Sequence, residues 1–198
     1  GADKAGILEM YKNPSIDGFT TNPTLMRQAG ITDYVAFAKN ILKEIPNKPI
    51  SFEVFADEFD EMERQALEIS GWGKNVYVKI PVMNTKRKTS FELVRKLSQE
   101  GVQLNITAMM TLEQVQKVAE VVQGGASCFV SVFAGRIADT GVDPIPMMEE
   151  SLEILVVAPN AELLWASPRE VLNVYQADSI GCHIITATND ILKKLELK

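Results

Sequence analysis

The sequence predicts an α/β fold in which a parallel sheet is assembled from repeated strand-then-helix units. Short β-branched runs alternate with segments of 3.6-residue apolar periodicity from one end to the other. No linker divides them. The 198 residues, 46% of them hydrophobic, are enough to bury one sizeable core, so a single α/β domain over residues 1–198 is expected.

The chain opens on a helix-like segment, Asp3 to Tyr11. Seven strand candidates follow: Gly18 to Thr21, Ile50 to Phe55, Val76 to Ile80, Val102 to Thr107, Cys128 to Phe133, Glu162 to Ala166 and Cys182 to Thr186. The helical segments between them are Asp33 to Ile45, Asp57 to Ser70, Lys86 to Glu100, Leu112 to Val122, Pro146 to Val157 and Arg169 to Gln176. Asp57, Thr111 and Ser167 are expected to cap three of these helices, each with an acidic or amide residue in the turn that follows. Eight strands would close a barrel and seven would leave an open sheet, so one more strand is needed for closure. A strand ahead of Gly1 would supply it. The end, Leu195-Glu196-Leu197-Lys198, falls just after an eighth βα unit begins, and truncation at both ends is expected.

The net charge of −6, with no basic run fit to neutralise phosphates in bulk, argues against nucleic acid and anionic membrane as partners. An anionic ligand must therefore be small and locally held. Cys128 and Cys182 sit in apolar segments without metal or redox spacing and read as core thiols of a reducing compartment. No run of ~18 apolar residues and no basic-then-apolar leader occurs, so a cytoplasmic location is expected.

Lys79 in Val76-Tyr77-Val78-Lys79-Ile80-Pro81 interrupts an apolar strand. Desolvation disfavours an ammonium, so a lysine held there can lose its proton and attack a carbonyl to give a Schiff base. The alternative is a surface lysine whose stem lies along the strand. Glu53, between Phe52 and Val54, can face inward while its neighbours face the helices, because strand side chains alternate. Asn105 and Thr107 share a face, as do Ser131 and Phe133. In Thr20-Thr21-Asn22-Pro23-Thr24 the polar side chains are read either as facing a barrel mouth or as a helix cap. Arg136 follows Gly135 and is read as a ligand anchor or as the partner of Asp139 or Asp143. Ser167 and Arg169 at a helix start would suit a phosphate. His183, the one histidine, is read as a packed core residue, which leaves no histidine triad or metal cluster. The Met109-Met110 and Met147-Met148 pairs are read as packing.

These junctions resemble the transaldolase family, in particular its short single-domain subfamily that also contains fructose-6-phosphate aldolase. The resemblance rests on Thr20-Thr21-Asn22-Pro23, Val78-Lys79-Ile80-Pro81, Leu104-Asn105-Ile106-Thr107-Ala108, Gly135-Arg136-Ile137, Ala166-Ser167 with Arg169, and Cys182-His183-Ile184-Ile185-Thr186. It implies a (β/α)8 TIM barrel whose first strand is missing from this chain, no metal or organic cofactor, and Lys79 as the Schiff-base lysine. Glu53 and Thr107 match the residues that position a catalytic water. Thr20, Asn22 and Asn105 match those that hold the dihydroxyacetone unit and its hydroxyls. Arg136, Arg169 and Ser167 match the phosphate anchors, and Ser131 and Phe133 complete the expected substrate-binding set.

Phe133 stands where the aldolase branch has a tyrosine, and Asn105 points the same way. The expected activity is therefore transaldolase in the non-oxidative pentose phosphate pathway, with sedoheptulose 7-phosphate or fructose 6-phosphate as donor. Fructose-6-phosphate aldolase, a non-catalytic sugar-phosphate-binding barrel and an isomerase with Glu53 as base are the alternatives. The resemblance implies a homo-oligomer, a pentamer or decamer. It also places the family's acid/base aspartate immediately before Gly1, a role that Asp3 does not take, and it implies a C-terminal arm that is missing or shortened here.

Overall fold

This computed structural model describes residues 3–28 and 30–196, and seven parallel strands alternate with helices along them. Every expected strand is present, displaced by a few residues at its ends. Two compact units, Gly1–Lys79 and Ile80–Lys198, are described in turn.

The first unit runs α1 (Lys4–Tyr11), β1 (Phe19–Thr20), α2 (Pro23–Gln28), α3 (Tyr34–Glu44), β2 (Ile50–Glu53), α4 (Phe59–Ser70) and then β3 (Val76–Pro81), which carries Lys79. β1 pairs with β2 and β2 with β3, all parallel, with Glu53 directly opposite Lys79. Asp3 and Asp33 cap α1 and α3 by accepting the backbone N–H groups of Gly6 and Ala36. On α4 the buried Met62, Ala66 and Ile69 recur at helical spacing, and they bury one apolar stripe. Ile41, Ile45, Ile50, Phe52 and Val78 complete this core, each fully buried and each worth ~1.5–3 kcal/mol of transfer free energy.

The loop after α1 is held by a cation. The Lys48 ammonium donates to the carbonyls of Tyr11 at 3.3 Å and Asn13 at 3.2 Å and to that of Ile16, and it lies 5.3 Å from the centre of the Tyr11 ring. It thereby places a positive charge at the negative end of α1, where it satisfies the Tyr11 carbonyl, and ties that end to the loop carbonyls of Asn13 and Ile16.

The second unit contains α5 (Phe91–Gln99), β4 (Leu104–Met109), α6 (Leu112–Val122), β5 (Cys128–Val132), α7 (Ala134–Asp139), α8 (Ile145–Leu155), β6 (Ala161–Trp165), α9 (Val171–Ser179), β7 (Ile184–Ile185) and α10 (Asn189–Leu195). Its strands pair β4-β5-β6-β7 in parallel. Thr111 and Gln114 form the capping box expected at the start of α6. The register between β4 and β5 shifts between Ile106 and Met109, where Ala108 has φ 65°, a bulge that re-aims Thr107.

Several local expectations are corrected. α5 starts five residues later than predicted, because Asn84 Oδ1 accepts the N–H groups of Lys86 and Lys88 and turns that segment into a loop. α4 is preceded by Glu58, not Asp57, and α9 by Glu170, not Ser167, which has φ 60° and lies outside the helix. α7 was not expected, since six residues are too few for a periodic signal.

His183 is exposed, not core: it precedes the two-residue β7, and its Nδ1 accepts the Leu163 N–H at 2.9 Å. Cys128 is buried and Cys182 half-buried, and both are free thiols. Met109 and Met148 are buried as expected, whereas Met110 is exposed. α10 follows β7, where the sequence places the start of an eighth βα unit, and Leu197 and Lys198 lie outside the described residues. Among the described residues no helix is long and apolar enough to cross a membrane.

Candidate active site

In the first unit the register of β2 against β3 decides the geometry. Residues opposite each other on neighbouring strands point to the same face, so Glu53 and Lys79 meet. Lys79 Nζ lies 3.3 Å from Glu53 Oε2 and donates to the Thr21 carbonyl at 3.4 Å. The side chains are 14% and 26% exposed, and Phe52 and Val78 beside them are fully buried. A charged pair in that setting has lost much of its water and needs its partner's charge. Lys79 is therefore not a surface lysine.

The flanking residues of this unit are less enclosed. Thr20 is half-buried at the end of β1. Asn22 is exposed, and its Oδ1 accepts the Thr24 N–H at 2.9 Å.

Tyr34 was not singled out by the sequence. Its hydroxyl accepts the Glu53 N–H at 3.0 Å and lies 3.3 Å from Thr21 Oγ1. Thr21 Oγ1 in turn donates to the Ser51 carbonyl at 2.7 Å. Burial, the largest influence, pushes the phenol above its ordinary pKa. A tyrosine one residue after a cap such as Asp33 looks like ordinary helix packing, and its partners lie 13 and 19 residues away.

In the second unit Asn105, Thr107 and Ser131 are all buried, and the Ser131 hydroxyl donates to Asn105 Oδ1 at 2.6 Å. That bond holds the amide in place. Phe133 is half-buried and precedes α7, with the exposed Arg136 guanidinium 5.9 Å from its ring centre. Gly135 donates its N–H to the Ala166 carbonyl at 3.2 Å, which brings α7 directly against the Ala166-Ser167 segment.

Arg169 makes a bidentate pair with Asp139, Nε to Oδ1 at 3.2 Å and Nη2 to Oδ2. The hydrogen bond from Arg169 holds the Asp139 carboxyl below its ordinary pKa, and its field and that of Arg136 act the same way. Asp139, one of the two surface partners expected for Arg136, is thus held by Arg169. The N–H of Arg169 and that of Glu170 donate to Asn173 Oδ1 at 2.8 and 3.1 Å, so Arg169 belongs to the approach to α9 and not to its first turn.

Each unit thus gathers part of the expected set: Lys79, Glu53, Thr20 and Asn22 in the first, and Asn105, Thr107, Ser131, Phe133, Arg136, Ser167 and Arg169 in the second. Among the described residues no group of three or more His, Cys, Asp or Glu side chains is placed to hold a metal ion.

Comparison with known proteins adds two kinds of likeness. In three dimensions the chain is similar to KGPDC of Streptococcus mutans, with TM-score 0.60 and 10% identity over 93% of this chain and 82% of that one. It is also similar to 3-keto-L-gulonate-6-phosphate decarboxylase of Vibrio cholerae, with TM-score 0.55 and 12% identity over 92% and 79%. These likenesses concern the fold alone, an α/β fold of the TIM-barrel kind.

In sequence the chain is 34% identical to a probable transaldolase of Dehalococcoides mccartyi over 98% of this chain and 88% of the relative. It is 34% identical to a probable transaldolase of a Thermoanaerobacter species over 91% and 79%. The profile of the transaldolase/fructose-6-phosphate aldolase family matches residues 1–198. A lysine and a carboxylate facing each other from adjacent parallel strands, on a chain with these relatives, place this protein in the transaldolase/fructose-6-phosphate aldolase family.

Proposed function

We propose that the protein is a transaldolase that moves a dihydroxyacetone unit between sugar phosphates through an imine on Lys79. The observation that carries the reading is the 3.3 Å approach of the Lys79 amine to the Glu53 carboxylate in a largely enclosed setting. Glu53 accepts a proton from the ammonium, and the freed amine attacks the C2 ketone of fructose 6-phosphate or sedoheptulose 7-phosphate. The carbonyl electron pair moves to oxygen, which takes a proton from the attacking nitrogen. Glu53 then returns a proton as that oxygen leaves as water, and the C2 iminium results. Thr107 shares the positioning of this water.

A base takes the proton from the C4 hydroxyl, C4–O becomes a carbonyl, and the C3–C4 electron pair flows into the iminium. An aldose phosphate leaves and a three-carbon enamine stays on Lys79. The enamine adds to the aldehyde of a second aldose phosphate, and hydrolysis of the new imine frees the product ketose. Thr20, Asn22, Asn105 and Ser131 hold hydroxyls of the three-carbon unit, while Arg136, Arg169 and Ser167 take the phosphate. Phe133 offers no hydroxyl to help water reach the enamine, which favours transfer over release.

Borohydride reduction with fructose 6-phosphate, followed by peptide mass analysis, tests the reading. A stable adduct on the Lys79 peptide is expected, and its absence would leave a barrel that binds sugar phosphate without reacting. Turnover of fructose 6-phosphate without erythrose 4-phosphate would instead assign an aldolase.

A further inference from the structure

We propose that Tyr34 is a positioning residue for the Lys79–Glu53 pair, acting through its hydroxyl group and not only through its ring. The inference rests on the reading of Lys79 as the imine-forming lysine. The Val54 N–H donates to the Lys79 carbonyl on the β3 side at 3.1 Å, so the N–H of Glu53, one residue earlier, points to the β1 side. β1 ends at Thr20, and the next carbonyl, that of Thr21, accepts from Lys79 Nζ at 3.4 Å. The Tyr34 hydroxyl accepts the Glu53 N–H at 3.0 Å.

Thr21 Oγ1 spends its single proton on the Ser51 carbonyl at 2.7 Å, so the phenol proton is directed to Thr21 Oγ1. Lys79 Nζ touches the carbonyl of the same Thr21 at 3.4 Å and the side chain of the same Glu53 at 3.3 Å. One hydroxyl therefore ties together the two residues that hold the reacting amine. Its own position is set by the ring, which meets Phe52, Phe55 and Trp72 with centroids 6.0, 4.6 and 6.4 Å away. The phenol stays a neutral donor throughout the working pH range, since burial raises its pKa.

The test compares Tyr34→Phe, which keeps the ring cluster, with Thr21→Val and the conservative Thr21→Ser. For each we would measure kcat and KM for fructose 6-phosphate with erythrose 4-phosphate, the rate of borohydride-trapped Lys79 adduct, and the thermal midpoint. Tyr34→Phe is expected to lower kcat and the trapping rate together by about tenfold, with KM changed by less than about twofold. Thr21→Val should do the same and Thr21→Ser should restore the wild-type rate, which carries the test even if Tyr34→Phe fails to fold.

Wild-type kcat and trapping rate in Tyr34→Phe, or a loss explained by its folded fraction alone, would overturn the positioning role while leaving the imine reading intact. Absence of a Lys79 adduct in the wild type would overturn both.

Discussion

A Cβ atom added to Gly135 would lie 1.5 Å from the carbonyl oxygen of Ser167. That oxygen is backbone, and Ser167 itself has φ 60°, so neither side can give way cheaply. Gly135→Ala should therefore cost about 3 kcal/mol by overpacking. Urea unfolding checks this, and a loss under about 1 kcal/mol would mean that α7 can lift away from the Ala166-Ser167 segment.

Replacing Lys79 by Met should abolish turnover and borohydride trapping, because it removes the amine that Glu53 faces and that the proposed imine needs. Glu53→Gln should retain the amine and lower kcat by roughly 10²-fold or more through lost proton transfer. The double variant Lys79→Met/Glu53→Gln should unfold at higher urea than Lys79→Met alone, since it removes a half-enclosed carboxylate left without its cation. Steady-state assays and urea midpoints on the three proteins read both effects.

The Asp139 carboxyl has a depressed pKa in the folded protein, first because Arg169 donates to it. Its contribution is therefore present above the ordinary aspartate pKa of about 3.9 and is lost as pH falls through the lower folded value. The urea midpoint of wild type should exceed that of Asp139→Asn at neutral pH, and the gap should close as pH falls below about 4. Both side chains are about half exposed, at 47% and 52%, so high salt should shrink the gap as well.

Burial pushes the Cys128 thiol up to about 12 and the Cys182 thiol up to about 11. At pH 8 an aromatic disulfide reagent should react with neither at the rate of a free thiol, and with both once the protein is unfolded. Cys182, half-buried, should react before Cys128. Both folded values lie above the usual 8.5, so the thiols favour the folded state below that pH. The advantage fades as pH rises towards 11–12. Timed labelling and an alkaline unfolding series measure the two effects.

The strands were legible because most are short β-branched or aromatic runs bounded by turn residues, as in Ile50 to Phe55 and Val76 to Ile80. α6 was legible to the residue, since Thr111 and Gln114 form a complete capping box. What failed was local backbone choice. Ser167 has the composition of a cap but sits at positive φ, and the helix waits until Val171. Asn84 turned the Lys86–Ser90 segment into a loop by side-chain bonds that periodicity does not register. Of the candidate site, the strand positions of Lys79 and Glu53 were legible from alternation, whereas the register that sets them opposite each other was not. Nor was the role of Tyr34, because a hydroxyl's partners are set by tertiary proximity and leave no mark in spacing.

The three carbonyls around the Lys48 ammonium engage its three N–H donors, which slows its reaction with an acylating or alkylating reagent. Reductive methylation of the native protein should pass over Lys48 while tagging the lysines of exposed helix faces such as Lys117. In a chemical footprint that one silent amine would report whether the turn after α1 is closed.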